Sequence, residues 1–384
     1  MKQGEQNKLP AQLGLVLSGG GSRGAYQAGV MKAIAEISKG LGLAQPFPIV
    51  TGVSAGAINA AFWAAHADNI SEAAEKLCEL WSRVTFDQVF RSGIFSMGKI
   101  SSKWIVDVSL GGLTGVTKAE SLLDTAPLRE LLRKNLDFNA IQKNLEAGHL
   151  SAISVTATDY GSTNSVTFVQ SARPAPMWTR QQRYSVQATL SVDHIMASSA
   201  VPLFFPSSPV GESYFGDGCL RNTAPLSPAI HLGADKLLVV GVRKQPPTSE
   251  ITQLPPARPS IARVLSVVLN AIILDGVDWD IERLSRVNNT VRAVPEEKRA
   301  NLPLRPIDYL WLYPSEDIGK LAQIETRQLP SVIRYLMKGL GPLKEASGIA
   351  SYLLFDPVFC GQLIDMGYND TIKRRSEIES FFLR

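Results

Sequence analysis

Short apolar runs and longer stretches of helical period alternate from the start of the chain. The run "LGLVLS" (13–18) is rich in β-formers, breaks at "GGGSRG", and gives way to "AYQAGVMKAIAEI", whose apolar positions recur at helical spacing. The pattern then repeats: "FPIVTG" (47–52) carries the strand signal and the alanine-rich "AGAINAAFWAAHA" (55–67) the helical one. Strand, glycine turn, helix is the opening unit of a parallel α/β sheet. Further buried strands are predicted over "LSAISVTATDY" (150–160), "KLLVVGV" (236–242) and "DYLWLYP" (308–314). The eleven-residue run "VLSVVLNAIIL" (264–274) is too short to span a membrane and reads as a buried helix.

Two stretches interrupt the pattern. Residues 84–118 scatter Gly and Ser among Phe and Trp and read as an excursion or cap. Residues 243–260, "RKQPPTSEITQLPPARPS", hold five prolines and resist regular structure. The strand expected at 308–314 returns to the sheet after them. The chain therefore divides into a flexible N-terminus (1–12) and one catalytic unit (13–384). That unit carries insertions at 84–118 and 243–306, the latter a proline-rich loop followed by helices, and ends in C-terminal helices of which "IKRRSEIESFFLR" is amphipathic.

Composition narrows the function classes. Over 384 residues, 45% are hydrophobic and 19% charged, enough for a large buried core and against wholesale disorder. The net charge of +4 is too weak to indicate nucleic acid, yet compatible with an anionic lipid surface. The cluster Lys373-Arg374-Arg375 reads as a solvated helix face. Cys78, Cys219 and Cys360 are far apart and odd in number, so no metal or redox pair is indicated and a reducing, cytoplasmic setting is expected. The opening "MKQGEQNKLPAQ" lacks the apolar core of a signal peptide, and no run reads as a membrane span.

The chemistry concentrates at Gly52-Val53-Ser54-Ala55-Gly56, a G-x-S-x-G pentapeptide between an apolar strand and an alanine-rich helix. On a sharp strand-to-helix turn the flanking glycines remove Cβ atoms that would collide, and the serine hydroxyl is lifted above the sheet. The helix N-terminus adds free N–H groups and a partial positive charge. The competing reading is a plain helix-capping turn; the strand before and the helix after favour a nucleophile. A nucleophilic serine needs a proton acceptor and an oxyanion site. Glycines 19–21, followed by Ser22, Arg23 and Gly24, can turn several N–H groups into one space, for a phosphate or for an oxyanion. No G-x-x-x-x-G-K-[ST] is present, and a serine elbow follows, so oxyanion duty is the better reading.

The base is less legible. His66 ends the helix after the elbow, about three turns from Ser54. His149, His194 and His231 sit in no recognisable histidine loop near the chain end, and all four read as structural. Asp217, flanked by Gly216 and Gly218 in "YFGDGCLRNTAPL", is either a projecting carboxylate or an ordinary Asp-Gly turn; spacing alone does not choose.

Taken together these residues resemble the bacterial patatin-like phospholipases. "GGGSRG" resembles that family's glycine-rich loop, "GVSAG" its serine elbow, "DGC" its aspartate motif (usually Asp-Gly-Gly or Asp-Gly-Ala), and "ASSAVPLFFP" (197–206) a further signature. The likeness continues through "APLSPAIHLGADKLLVV" and "SYLLFDPVFCGQLIDMGYND", over nearly the whole chain. It implies a mostly parallel central sheet sandwiched by helices, a three-layer α/β fold related to the α/β-hydrolases. It implies a Ser54–Asp217 dyad without histidine, backbone donors around Gly20, Gly21 and Ser22, and Arg23 shaping that oxyanion loop, with Gly52, Gly56 and Gly218 as turn glycines. The implied activity is lipid acyl hydrolysis of the phospholipase A or lysophospholipase type through an acyl-serine, with no metal or cofactor. The implied partners are a phospholipid or other acyl ester and transient contact with a membrane surface. A carboxylesterase or thioesterase on soluble acyl compounds, and a regulatory protein with a lapsed site, are the alternatives. Cys219, where glycine or alanine is usual, puts a larger side chain at the aspartate turn, one able to crowd it, while the Asp-Gly pair is retained. Phe204, Phe205 and the aromatics of 86–104 either line an acyl cleft or belong to the core.

Overall fold

In the computed structural model, which describes residues 12–91, 121–245, 258–299 and 301–384, the predicted strands form one sheet. Strands β1 (Leu13–Leu17) and β2 (Ile49–Val53) lie side by side and parallel. β3 (Ala152–Asp159) continues the parallel run beyond β2, and β9 (Lys236–Val240) and β10 (Asp308–Leu312) extend it on the other side of β1. The remainder is mixed. β4 (Ser165–Ser171) turns back antiparallel on β3, β6 (Arg183–Gln187) is parallel to β4, and β5 (Thr179–Arg180) pairs antiparallel at the edge. A hairpin of β7 (Ser208–Val210) and β8 (Ser213–Asp217) joins β3.

Alternation along the strands sorts side chains into two layers. Leu15, Leu17, Leu238, Val240, Leu310 and Leu312 face the larger core, with the helices Gly24–Gly40, Ala55–Ala65, Ile70–Arg83 and Pro357–Lys373. Val16, Leu237 and Val239 face a smaller one, closed by the helix Asp275–Ala293 through Val277, Ile281 and Leu284. The result is a central sheet between helical layers.

One register detail positions the site. β2 pairs with β3 as far as Val53 opposite Thr156. β8 arrives antiparallel and pairs next, Asp217 opposite Ala157. β4 already occupies the other edge of β3 at both Ala157 and Thr158, so β2 and β8 share one edge and meet end to end. The residue after β2 is Ser54, and the last residue of β8 is Asp217.

The apolar run at 264–274 departs from expectation. The helix Ile261–Ile273 is capped by Ser260, whose Oγ accepts from the Arg263 N–H at 3.2 Å, but only one of its faces is buried. Of the basic cluster, Arg375 pairs with Glu379 on the helix surface, whereas Arg374, half-buried at the junction of two helices, donates to the Trp311 carbonyl as well as pairing with Glu377. Most of the 84–118 excursion, most of the proline-rich stretch and the N-terminal residues lie outside the described residues. Among the described residues no single helix is long and apolar enough to cross a membrane.

Candidate active site

Ser54 caps the helix Ala55–Ala65 with φ +56° and ψ −127°. Few non-glycine residues adopt positive φ, and holding one there costs about 1–3 kcal/mol. The neighbours over-determine it. The Ser54 N–H donates to Ser198 Oγ at 2.9 Å, and Ser198 Oγ donates in turn to the Thr156 carbonyl at 2.6 Å. Ser199 Oγ donates to the Ser54 carbonyl at 3.2 Å. The glycines on either side are sterically required. A Cβ on Gly52 would overlap the Gly56 carbonyl, and one on Gly56 would overlap the carbonyls of Leu17 and Ser18.

The hydroxyl of Ser54 donates to Asp217 Oδ2 at 2.6 Å, across 163 residues of sequence. The other carboxylate oxygen, Oδ1, accepts the Cys219 N–H at 2.9 Å. The aspartate backbone is pinned as well: its N–H donates to the Ala200 carbonyl at 2.9 Å, and its carbonyl accepts from Thr158 Oγ1 at 2.9 Å. Asp217 is fully buried and Ser54 almost so. Burial pushes the Asp217 carboxyl up to about 6, against the opposing pull of the hydrogen bonds from Ser54 and Cys219. Gly218 fits because the Thr156 carbonyl occupies the space a side chain would need.

The glycine loop lies beside this pair. Gly21 has φ +57°, and a Cβ there would meet the Tyr352 carbonyl. Gly20 stands against Val242, and its carbonyl accepts the Arg23 N–H at 3.2 Å. The amides at the start of the helical turn that follows have no intrahelical partner. The side chains of Ser22 and Arg23 turn away, toward the helix Ser347–Leu353. Ser22 Oγ donates to the Ser351 carbonyl at 2.9 Å. The buried guanidinium of Arg23 donates to Ser351 Oγ and lies 4.6 Å from the Tyr352 ring centroid. Arg23 thus braces the loop from behind.

Cys219 is accommodated rather than crowding. Its Sγ occupies the space that a side chain on Gly19 would fill, and burial and the neighbouring Asp217 push the thiol well above its usual range. No hydrogen bond joins any of the four histidines to Ser54. His66 stacks on Phe62, His194 packs edge-on to Phe168 and accepts the Ser191 N–H, and His231 stacks on Trp178. Ser54 and Gly21 line an apolar cleft together with Trp81, Val84, Leu128, Leu132 and Phe205. Phe205 therefore lines it. Among the described residues no group of three or more His, Cys, Asp or Glu is disposed to hold a metal ion.

Sequence reasoning missed Ser198, Ser199, Thr156 and Thr158, the residues that hold the serine and the aspartate. The adjacent serines of "ASSAVP" were the available signal, since two hydroxyls in an otherwise apolar stretch need partners when buried.

A three-layer α/β fold with a serine elbow and a facing aspartate defines the class of protein. Residues 15–230 match the family model of the patatin-like phospholipases, and the chain belongs to that family, which makes it an ester-hydrolysing enzyme. No curated protein matches by sequence. Among solved structures the chain is similar to VipD from Legionella pneumophila, with 14% identity, a TM-score of 0.39, and coverage of 96% of this chain and 67% of that one. It is also similar to human GIVD cytosolic phospholipase A2 in complex with methyl gamma-linolenyl fluorophosphonate, with 11% identity, a TM-score of 0.41, and coverage of 100% of this chain and 60% of that one.

Proposed function

We propose that the protein is a lipid acyl hydrolase in which Ser54 is the nucleophile and Asp217 the base, acting without histidine. The observation that carries this reading is the 2.6 Å hydrogen bond from Ser54 Oγ to Asp217 Oδ2, with Ser54 lining an apolar cleft. In the first half-reaction Asp217 takes the hydroxyl proton as Ser54 Oγ bonds to the ester carbonyl carbon. The negative charge on the carbonyl oxygen is met by amides of the Gly20–Ser22 loop. The tetrahedral adduct collapses, the ester C–O bond breaks, and the leaving alcohol departs with the proton from Asp217. In the second half-reaction a water gives its proton to Asp217 and attacks the acyl carbon. The carboxylic acid leaves, and the proton returns to Ser54.

An ordinary aspartate is a weak base at neutral pH. A carboxyl raised to about 6 is better matched to that task and still ionised at pH 7. The apolar walls suit a fatty acyl chain, which points to phospholipids or lysophospholipids. The test is turnover of diacyl phospholipid, lysophospholipid and a short p-nitrophenyl ester, with products identified by mass spectrometry, for the wild type, Ser54→Ala and Asp217→Asn. Fatty acid release by the wild type alone is expected. Undiminished hydrolysis by either variant would exclude the dyad.

A further inference from the structure

The helix Ile261–Ile273 is apolar nearly all round, a composition that belongs inside a core. Yet Ile261, Val264, Val267 and Val268 are 62, 50, 54 and 45% exposed. At about 100° per residue these four fall on one arc roughly 120° wide, opposite the buried Ala262, Ser266, Leu269 and Ile273. Single exposed apolar side chains need no explanation, but four on one helical face form a patch, and such patches mark interaction sites.

Two observations say what covers it. The first is charge. Residues 258–274 contain Arg258 and Arg263 and no acid, and Arg263 falls at one margin of the exposed arc. A second copy of this chain pairing through the same helix would bring the arginines together, with Glu345, which accepts from Ser260 and neighbours Arg263, only at the helix's N-terminal end. An anionic lipid surface accepts both the apolar face and the arginines. The second is position. Asn270, on the flank of the same helix, accepts a 2.7 Å hydrogen bond from the Tyr352 hydroxyl, and the Tyr352 backbone abuts Gly21, which lines the apolar cleft. Two side chains, Asn270 and Tyr352, link this helix to the glycine loop.

We propose that this face of the helix Ile261–Ile273 rests on a phospholipid bilayer, its valines and Ile261 entering the boundary between headgroups and acyl chains while Arg263 meets anionic headgroups. The inference rests on the lipid-hydrolase reading of the site, but binding is measured apart from turnover. The test uses the full-length protein and flotation with vesicles of phosphatidylcholine alone or mixed with phosphatidylglycerol. Wild type and Ser54→Ala are expected to float equally, and better with the anionic mixture. The double variant Val264→Glu/Val268→Glu should float about tenfold less, while turning over a short soluble ester at the wild-type rate. Arg263→Glu should lose mainly the preference for anionic vesicles. In a Val267→Trp variant, vesicles should shift the emission of that tryptophan to the blue and brominated lipids should quench it. Wild type that does not float, a double variant that floats normally, or a bound Val267→Trp protein whose tryptophan is not quenched would each overturn the proposal. So would a dimer in solution that the double variant dissociates while vesicle binding persists. Ester turnover lost with flotation intact would instead refute only the catalytic reading.

Discussion

The molecule makes two strand-to-helix turns side by side, after β1 and after β2, and both place a residue in the left-handed region. After β1 it is Gly21, at φ +57°; after β2 it is Ser54, at φ +56°. Glycine adopts a positive φ at little cost. A serine there is strained, and the hydrogen bonds of Ser198 and Ser199 and the close fit of Gly52 and Gly56 hold it in place. Strain of this kind persists where the side chain itself is required. In the proposed mechanism the first turn offers backbone groups and needs no side chain, while the second presents a hydroxyl to Asp217.

Substitutions can break that contrast in graded steps. Ser54→Ala or Asp217→Asn should lower kcat by about 10⁴-fold or more, measured on a soluble ester. Asp217→Asn should also stabilise the fold. A carboxyl raised from 3.8 to about 6 on folding binds its proton more tightly in the native state, so it destabilises the native protein above pH 6, by about 3 kcal/mol, and not below pH 4. The variant's Tm should therefore exceed that of the wild type at pH 8 and lose this advantage near pH 4, as calorimetry would show. Gly21→Ala should reduce kcat by about 10²–10³-fold, because it strains the loop and pushes it from the Tyr352 carbonyl. The smallest effect belongs to Ser198→Ala. It removes the acceptor for the Ser54 N–H, and should cost about 1–3 kcal/mol of stability by denaturant titration, with a decrease in kcat of about tenfold.

The parallel half of the sheet was legible because buried strands and glycine turns leave a strong local pattern, as at 13–24 and 47–56. β7 and β8 were not. "SYFGD" carries too short an alternation, and its Asp-Gly looks like any turn. The meeting of Ser54 with Asp217 depends on β2 and β8 sharing one edge of β3, a long-range register that no local pattern encodes. Only resemblance singled out the aspartate. The exposed face of the helix Ile261–Ile273 is not legible for a related reason: hydrophobicity predicts burial only where the fold supplies a neighbour.

The most direct test of the central claim is the rate at which a fluorophosphonate modifies the protein, followed by peptide mass spectrometry across pH. One adduct is expected, on Ser54. Its rate should be level above pH 7 and fall about tenfold per unit below pH 6, as Asp217 takes up its proton, and should be at least about 10³-fold lower in Asp217→Asn. An adduct on another residue, or an Asp217→Asn protein labelled as fast as the wild type, would contradict it.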